Sequence, residues 1–136
     1  MSQAPDQSLL PPFARQFGIR LDSATKDRLV GRLTVGPEHA NRNAVMHGGA
    51  LMALTDALGG TAASMNLREG EATTTLESKT NFLRSVPIGQ TVTAQTIPIH
   101  RGRKTQIWQT TVLRADGKPA AITTQTQMTL PAKTPG

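Results

Sequence analysis

The sequence predicts a two-layer α+β domain in which a curled antiparallel sheet of five to six strands wraps one long helix. Three observations carry that prediction. Residues 48–66 are an almost continuous Ala/Leu/Gly-rich run of helical length, and Asp56 is their one ionisable residue before Arg68. After Ala72 the texture changes to alternating segments rich in Thr, Val and Ile. Gly89, Gly102 and Asp116-Gly117 punctuate those segments as hairpin turns. An apolar helix among such strands buries itself best along the concave face of the sheet.

In chain order, residues 1–8 are polar and are expected to fray. Leu9, Leu10, Phe13 and Phe17 have helical spacing, Pro11 and Pro12 fit only a first turn, and Gly18 stops that short helix. Residues 19–23 and 28–35 alternate around 24–27 and read as a hairpin, followed by a loop over 36–40. The long helix runs from Gly48 to about Asn66. Gly48 and Gly49 open its first turn to close approach, and Gly59-Gly60 predicts tight packing against sheet backbone. Strands over 73–83, 91–99, 105–113 and 120–130 then form a four-strand meander, and Pro131 begins a polar tail. All 136 residues make one domain, 1–136.

Fifteen Lys and Arg against nine Asp and Glu give a net charge of +6, which suggests an anionic partner, nucleic acid or the phosphates of coenzyme A, while any single Lys or Arg more often just solvates the surface. Nucleic acid is disfavoured, because Phe13, Phe17, Phe82 and Trp108 are too few to interleave a basic groove with stacking aromatics. The absence of cysteine removes disulfides, thiolate metal sites and cysteine nucleophiles. No run approaches the roughly 20 apolar residues of a membrane span, and Met1 to Leu10 has no signal-peptide pattern. A soluble, cytoplasmic protein is expected.

The chemistry concentrates between Asn41 and Asp56. A carboxylate in an apolar helix is costly, and the neighbours of Asp56 at helical spacing, Met52, Ala53, Gly59 and Gly60, offer it no partner. A partly desolvated acid there suits a general base or an anchor for a water. His47-Gly48-Gly49 stands at the positive end of the helix, where free N–H groups can polarise a carbonyl and hold an oxyanion. Taken alone, a histidine before Gly-Gly more often makes a structural hydrogen bond. Asp56 follows His47 by nine residues, a half-turn remainder and roughly 13 Å along the axis. If both act in one site, they come from different subunits of a two-fold dimer. No nucleophile elbow, P-loop or dinucleotide fingerprint is present, and His39, His47 and His100 lack metal-ligand spacing.

The segment 41–56 closely resembles the central-helix motif of hot-dog-fold acyl-CoA thioesterases of the phenylacetyl-CoA type. The likeness spans roughly residues 9–130 and is next strongest at Asn81-Phe82-Leu83-Arg84 and Arg101-Gly102-Arg103. It implies a hot-dog fold and hydrolysis of an aromatic or medium-chain acyl-CoA to free acid and CoA, with no metal or cofactor. Asp56 would orient or activate the water, with an anhydride formed through Asp56 as the other route. Gly48 would donate its amide to the oxyanion with help from Asn41, although Asn43 lies close and Ala44 replaces the usual glycine. His47 would orient the loop or support the leaving thiolate, and Gly49 would lie against the ligand. Thr75 matches a Ser or Thr that holds the water, beside its plain reading as a sheet residue. Arg101, Gly102, Arg103 and Lys104 would take CoA phosphates, and Asn81, Phe82 and Arg84 would border the ligand; exposed hairpin charge is the competing reading. The resemblance also implies a homodimer with shared sites, and a homotetramer built from two. The rivals are a non-catalytic acyl-CoA-binding module and, in the same fold, a hydratase.

Overall fold

The computed structural model describes residues 4–133 and contains one antiparallel sheet curled around one long helix. The strands are β1 (Arg20–Thr25), β2 (Arg28–Thr34), β3 (Ala72–Phe82), β4 (Thr91–Arg101), β5 (Thr105–Leu113) and β6 (Pro119–Leu130). The helices are α1 (Pro12–Phe17) and α2 (Gly48–Ser64). Sheet order is β1-β2-β4-β5-β6-β3. This is the hot-dog architecture.

The expected four-strand meander is corrected. β4, β5 and β6 follow one another by hairpins, but β3 pairs with β6 and not with β4. Residues 83–90 are too long for a tight hairpin and are stitched elsewhere: Met46 N–H donates to Val86 O at 2.7 Å and Gly89 N–H to Val35 O at 2.7 Å. Alternation marks a strand without naming its partner. The Asp116-Gly117 turn forms as anticipated, with Gly117 at φ 82°. The Arg114 guanidinium, 2.6 Å from Asp116, and the Lys118 N–H hold that carboxyl down to about 2.

The N-terminal residues are better anchored than their polarity implies. Gln7 clamps β1 by accepting from Leu21 N–H and donating to Leu21 O, both at 2.8 Å. Its neighbours Gln7–Leu9 make a single 3-10 turn, and α1 begins only at Pro12, a position where the missing N–H costs nothing. Residues 1–3 and 134–136, in the two expected tails, lie outside the described residues.

Helix α2 is buried on most of its circumference. Ala50, Leu51, Leu54, Ala57, Leu58 and Ala62 are in the core, while Met52 and Asp56 are exposed. It ends at Ser64 rather than Asn66, and its last turn tightens through Asn66 N–H to Ala63 O at 3.0 Å. The sheet face beneath it is polar as well as apolar. Thr96, Thr110, Thr123 and Thr80 lie in register across β4, β5, β6 and β3, and Thr123 also donates to Thr55 of α2 at 2.9 Å. Trp108 is fully buried and donates to Gln106 Oε1 at 2.8 Å, while Gln106 reaches Ala63 O at 3.3 Å.

Gly59 packs against the buried Gln125 side chain, not against sheet backbone as expected, and Gly60 faces open space. The two glycines therefore separate in their response to a methyl group. Gly59→Ala should cost about 1–3 kcal/mol through overpacking against Gln125. Gly60→Ala should raise stability by about 0.5–1 kcal/mol through helix propensity. Urea unfolding of the two variants checks both; equal shifts would mean the Gln125 contact is soft.

Candidate active site

His47 is the N-cap of α2, with extended dihedrals (φ −64°, ψ 140°), so helical spacing starts only at Gly48. Its Nδ1 accepts from Gly49 N–H at 2.8 Å. A neutral imidazole accepting at Nδ1 carries its proton on Nε2. The cap spends the Gly49 amide, whereas the Gly48 N–H has no partner among the described residues. The structural hydrogen bond and the open amide thus coexist in one motif.

The loop before the cap is built on Asn41. Its Oδ1 accepts from Asn43 N–H at 2.8 Å and Val45 N–H at 3.4 Å, while its own N–H donates to Val45 O at 2.8 Å. The Asn41 side-chain NH2 has no partner among the described residues. Asn43 is exposed and its side chain makes no hydrogen bond among the described residues, whereas Asn41 Oδ1 holds the turn. The turn closes through Ala44, which has φ 61°, the one positive φ of a non-glycine among the described residues.

Gly48 lies in a hollow with Met46, Leu51, Phe82, Leu83 and Arg84. A Cβ at position 48 would meet the Phe82 ring at 3.3 Å, so the glycine lets that ring lie close to the helix N-terminus. Arg84 donates to Pro119 O at 2.9 Å. Asn81 is exposed on β3, one residue before Phe82.

Asp56 opens into a different hollow, shared with Ala57, Gly60, Thr61, Leu10 and Arg15. The two hollows have no residue in common. Gly48 and Asp56 are eight residues apart on one helix, about 12 Å along its axis. The expected desolvation of Asp56 is corrected: the carboxylate is exposed in the single chain, because α1 covers the helix only beside it. It does have a partner that helical spacing could not show. Thr75 of β3 donates to Asp56 Oδ1 at 3.4 Å. Behind Thr75, Gln127 of β6 donates to Thr75 Oγ1 at 2.7 Å and accepts from Thr73 Oγ1 at 3.0 Å. Gln127, Arg15 and residues 8–12 were missed in the sequence. A Gln gives no local signal of burial, and here Gln106, Gln125 and Gln127 are all buried.

The basic hairpin turn joins β4 to β5. Arg101, expected among the free phosphate ligands, is held by Asp27 at 2.7 Å and Lys26 O at 3.1 Å. The β1–β2 turn folds back onto it, a contact with no trace in local sequence. Arg103 and Lys104 make no ion pair among the described residues. Arg103 lines a hollow with Arg68, Glu71, Asn66 and Gly102 at the C-terminal end of α2. A Cβ at Gly102 would meet the exposed His100 imidazole at 2.6 Å, which would have to swing aside, and Thr105 O at 3.1 Å.

A curled antiparallel sheet wrapped around one long helix is a fold found in thioester hydrolases. The model of the thioesterase superfamily matches residues 43–121, and this chain belongs to that superfamily. It is a thioester hydrolase. A thioesterase of Haemophilus influenzae is 29% identical, with a TM-score of 0.81 over 87% of this chain and 82% of its own. A glutamine-to-alanine mutant of a Pseudomonas aeruginosa thioesterase is 28% identical, with a TM-score of 0.86 over 95% of this chain and 96% of its own. The PaaI protein of the E. coli phenylacetic acid degradation operon, 24% identical, shares the fold with a TM-score of 0.83 over 90% and 87% of the two chains. No described helix is long and apolar enough to cross a membrane.

The left-handed Ala44 gives a direct test of the loop. Ala44→Gly should stabilise the protein by about 0.5–1 kcal/mol, because an L-residue there carries a steric cost that glycine avoids. Thermal unfolding measures it; an unchanged or lowered midpoint would show that the turn is not strained.

Proposed function

We propose that the protein hydrolyses an acyl-CoA, aromatic or medium-chain, to the free acid and CoA. The observation that carries this reading is the pairing of an unspent helix-terminal amide, Gly48, with an oriented carboxylate, Asp56, on the same helix. The thioester carbonyl oxygen accepts from Gly48 N–H and from the Asn41 NH2, which hold the oxyanion as it forms. Asp56 takes a proton from water as the water oxygen attacks the acyl carbon, with Thr75 helping to fix that water. The tetrahedral intermediate collapses, the C–S bond breaks, and the departing thiolate recovers the proton from Asp56. His47, capping Gly49, keeps the neighbouring amide free for this work.

Because the two groups open into separate hollows, one carbonyl reaches both only if two copies share a site. The edge strand β3 supports such a pairing. It presents an unpaired edge of eleven residues, with Leu76 56% and Phe82 53% exposed, a surface that isolated proteins seldom leave bare. Association of two such homodimers into a homotetramer belongs to the same proposal. Arg103 and Lys104, with Gly102 between the strands, offer charge for the CoA phosphates; Arg101 serves by fixing the turn, and Asn81, Phe82 and Arg84 border the ligand.

Benzoyl-CoA, phenylacetyl-CoA, octanoyl-CoA and acetyl-CoA, assayed by free-thiol release, test the substrate class. Asp56→Asn should lower kcat on the best of them by at least about 100-fold while leaving binding largely intact. A folded Asp56→Asn protein with ordinary turnover would remove Asp56 from the mechanism. A non-catalytic binding module would bind these ligands and release no thiol.

Subunit mixing tests the shared site. Asp56→Ala and Asn41→Ala homodimers should each be nearly inactive. After exchange at equal ratio, activity should return to roughly a quarter of wild type, since half the dimers are mixed and each has one intact site of two. Differently tagged chains verify the exchange. Mixed dimers without activity would show that Asn41 and Asp56 do not meet across an interface.

A further inference from the structure

The buried face of the sheet contains a polar chain that ends on the carboxylate. Gln127 lies directly opposite Thr75 in the β3–β6 register and is only 1% exposed. Its Nε2 donates to Thr75 Oγ1 at 2.7 Å, its Oε1 accepts from Thr73 Oγ1 at 3.0 Å, and Thr75 Oγ1 donates to Asp56 Oδ1 at 3.4 Å. The register breaks immediately beyond: Glu77 pairs with Thr126, so Leu76 bulges out and Thr75 stays opposite Gln127.

A threonine hydroxyl has one proton and two lone pairs. With the Gln127 N–H on one lone pair, the Thr75 proton is left for Asp56. With the amide reversed, Gln127 Oε1 would take that proton, and lone pairs of Thr75 and of the carboxylate would face each other across 3.4 Å. Both arrangements give every donor an acceptor, since Thr73 Oγ1 also reaches Met128 O at 3.1 Å and could accept from a reversed amide. Only the first leaves the Thr75 proton for the Asp56 carboxylate, the charged and stronger acceptor. Burial of Gln127 holds its amide to these two threonines, because an amide shielded from water without partners costs about 1–3 kcal/mol.

We propose that Gln127 is a positioning residue of the hydrolytic site, one that sets the direction of the Thr75 hydroxyl and thereby the aim of Asp56. The proposal rests on Asp56 acting as described above. Gln127 touches neither substrate nor water; it acts through Thr75. A hydroxyl turned away from Asp56 leaves the carboxylate free to rotate, which lowers kcat without changing ligand contacts.

The test is a double-mutant cycle on the fastest of benzoyl-CoA, phenylacetyl-CoA and octanoyl-CoA. Gln127→Met keeps the volume and removes the donor, and should lower kcat about tenfold with KM unchanged within about twofold. Gln127→Glu keeps the shape but offers only acceptors when ionised, and should lower kcat at least as much. In a Thr75→Val background, neither change should lower kcat further. A folded Gln127→Met protein with wild-type kcat overturns the proposal, as does an equal fold-loss in both backgrounds, which is the mark of a merely structural side chain. Thermal unfolding checks each variant, and if Gln127→Met does not fold the cycle is read with Gln127→Glu. Asp56→Asn separates the two layers. If Asp56→Asn stays active, the hydrolytic assignment itself falls. If Asp56→Asn is inactive while Gln127→Met is unimpaired, the positioning role falls alone.

Discussion

Helix α2 must be buried on nearly every side, and the rest of the structure is arranged around that requirement. A run of Ala, Leu and Gly has no polar face to offer water, so the sheet curls about it and α1 closes one flank. Small residues let the strands come close. Gly59 meets the Gln125 side chain, and Gly31 of β2 leaves room for Leu58 at about 3 Å from where its own Cβ would be. Such an enclosure leaves few places where chemistry can emerge. They are the open N-terminus at Gly48 and the stripe that exposes Met52 and Asp56.

Close packing against polar strands creates a second constraint. Buried hydroxyls and amides between helix and sheet need partners, since each unpaired group is costly. The threonine row across β4, β5, β6 and β3 meets that need largely within itself. Gln106 and Gln127 meet it by reaching outward, to the last turn of α2 and to Thr73 and Thr75, whereas the buried Gln125 amide beneath Gly59 has no hydrogen-bond partner among the described residues. A structural need for hydrogen bonds thus becomes a means of fixing an exposed carboxylate. The same economy operates at the helix N-terminus, where His47 and Asn41 pair the amides of Gly49, Asn43 and Val45 and leave the Gly48 N–H and the Asn41 NH2 open.

Charge shows how a composition resolves into individual roles. The net +6 points to an anion, but no single cation is thereby assigned. Arg114 is committed to Asp116 and Arg101 to Asp27. Arg84 reaches a backbone carbonyl. Arg103, Lys104 and Arg68, grouped around the end of α2, make no ion pair among the described residues.

The sequence by itself determined the two-layer class, the long helix from Gly48 and nearly every strand, because burial periodicity and turn chemistry are local properties. It also singled out His47, Gly48 and Asp56, since a lone carboxylate in an apolar helix and a His-Gly-Gly step stand out without any fold. Tertiary structure alone decided that β3 pairs with β6, because alternation is blind to partners. It alone brought Thr75 and Gln127 to Asp56 across 19 and 71 positions, gave Arg101 to the β1–β2 turn, and docked Gln7 where polarity implied a loose end. These contacts join segments distant along the chain, and their strength comes from burial and register, which exist only once the sheet has closed around the helix.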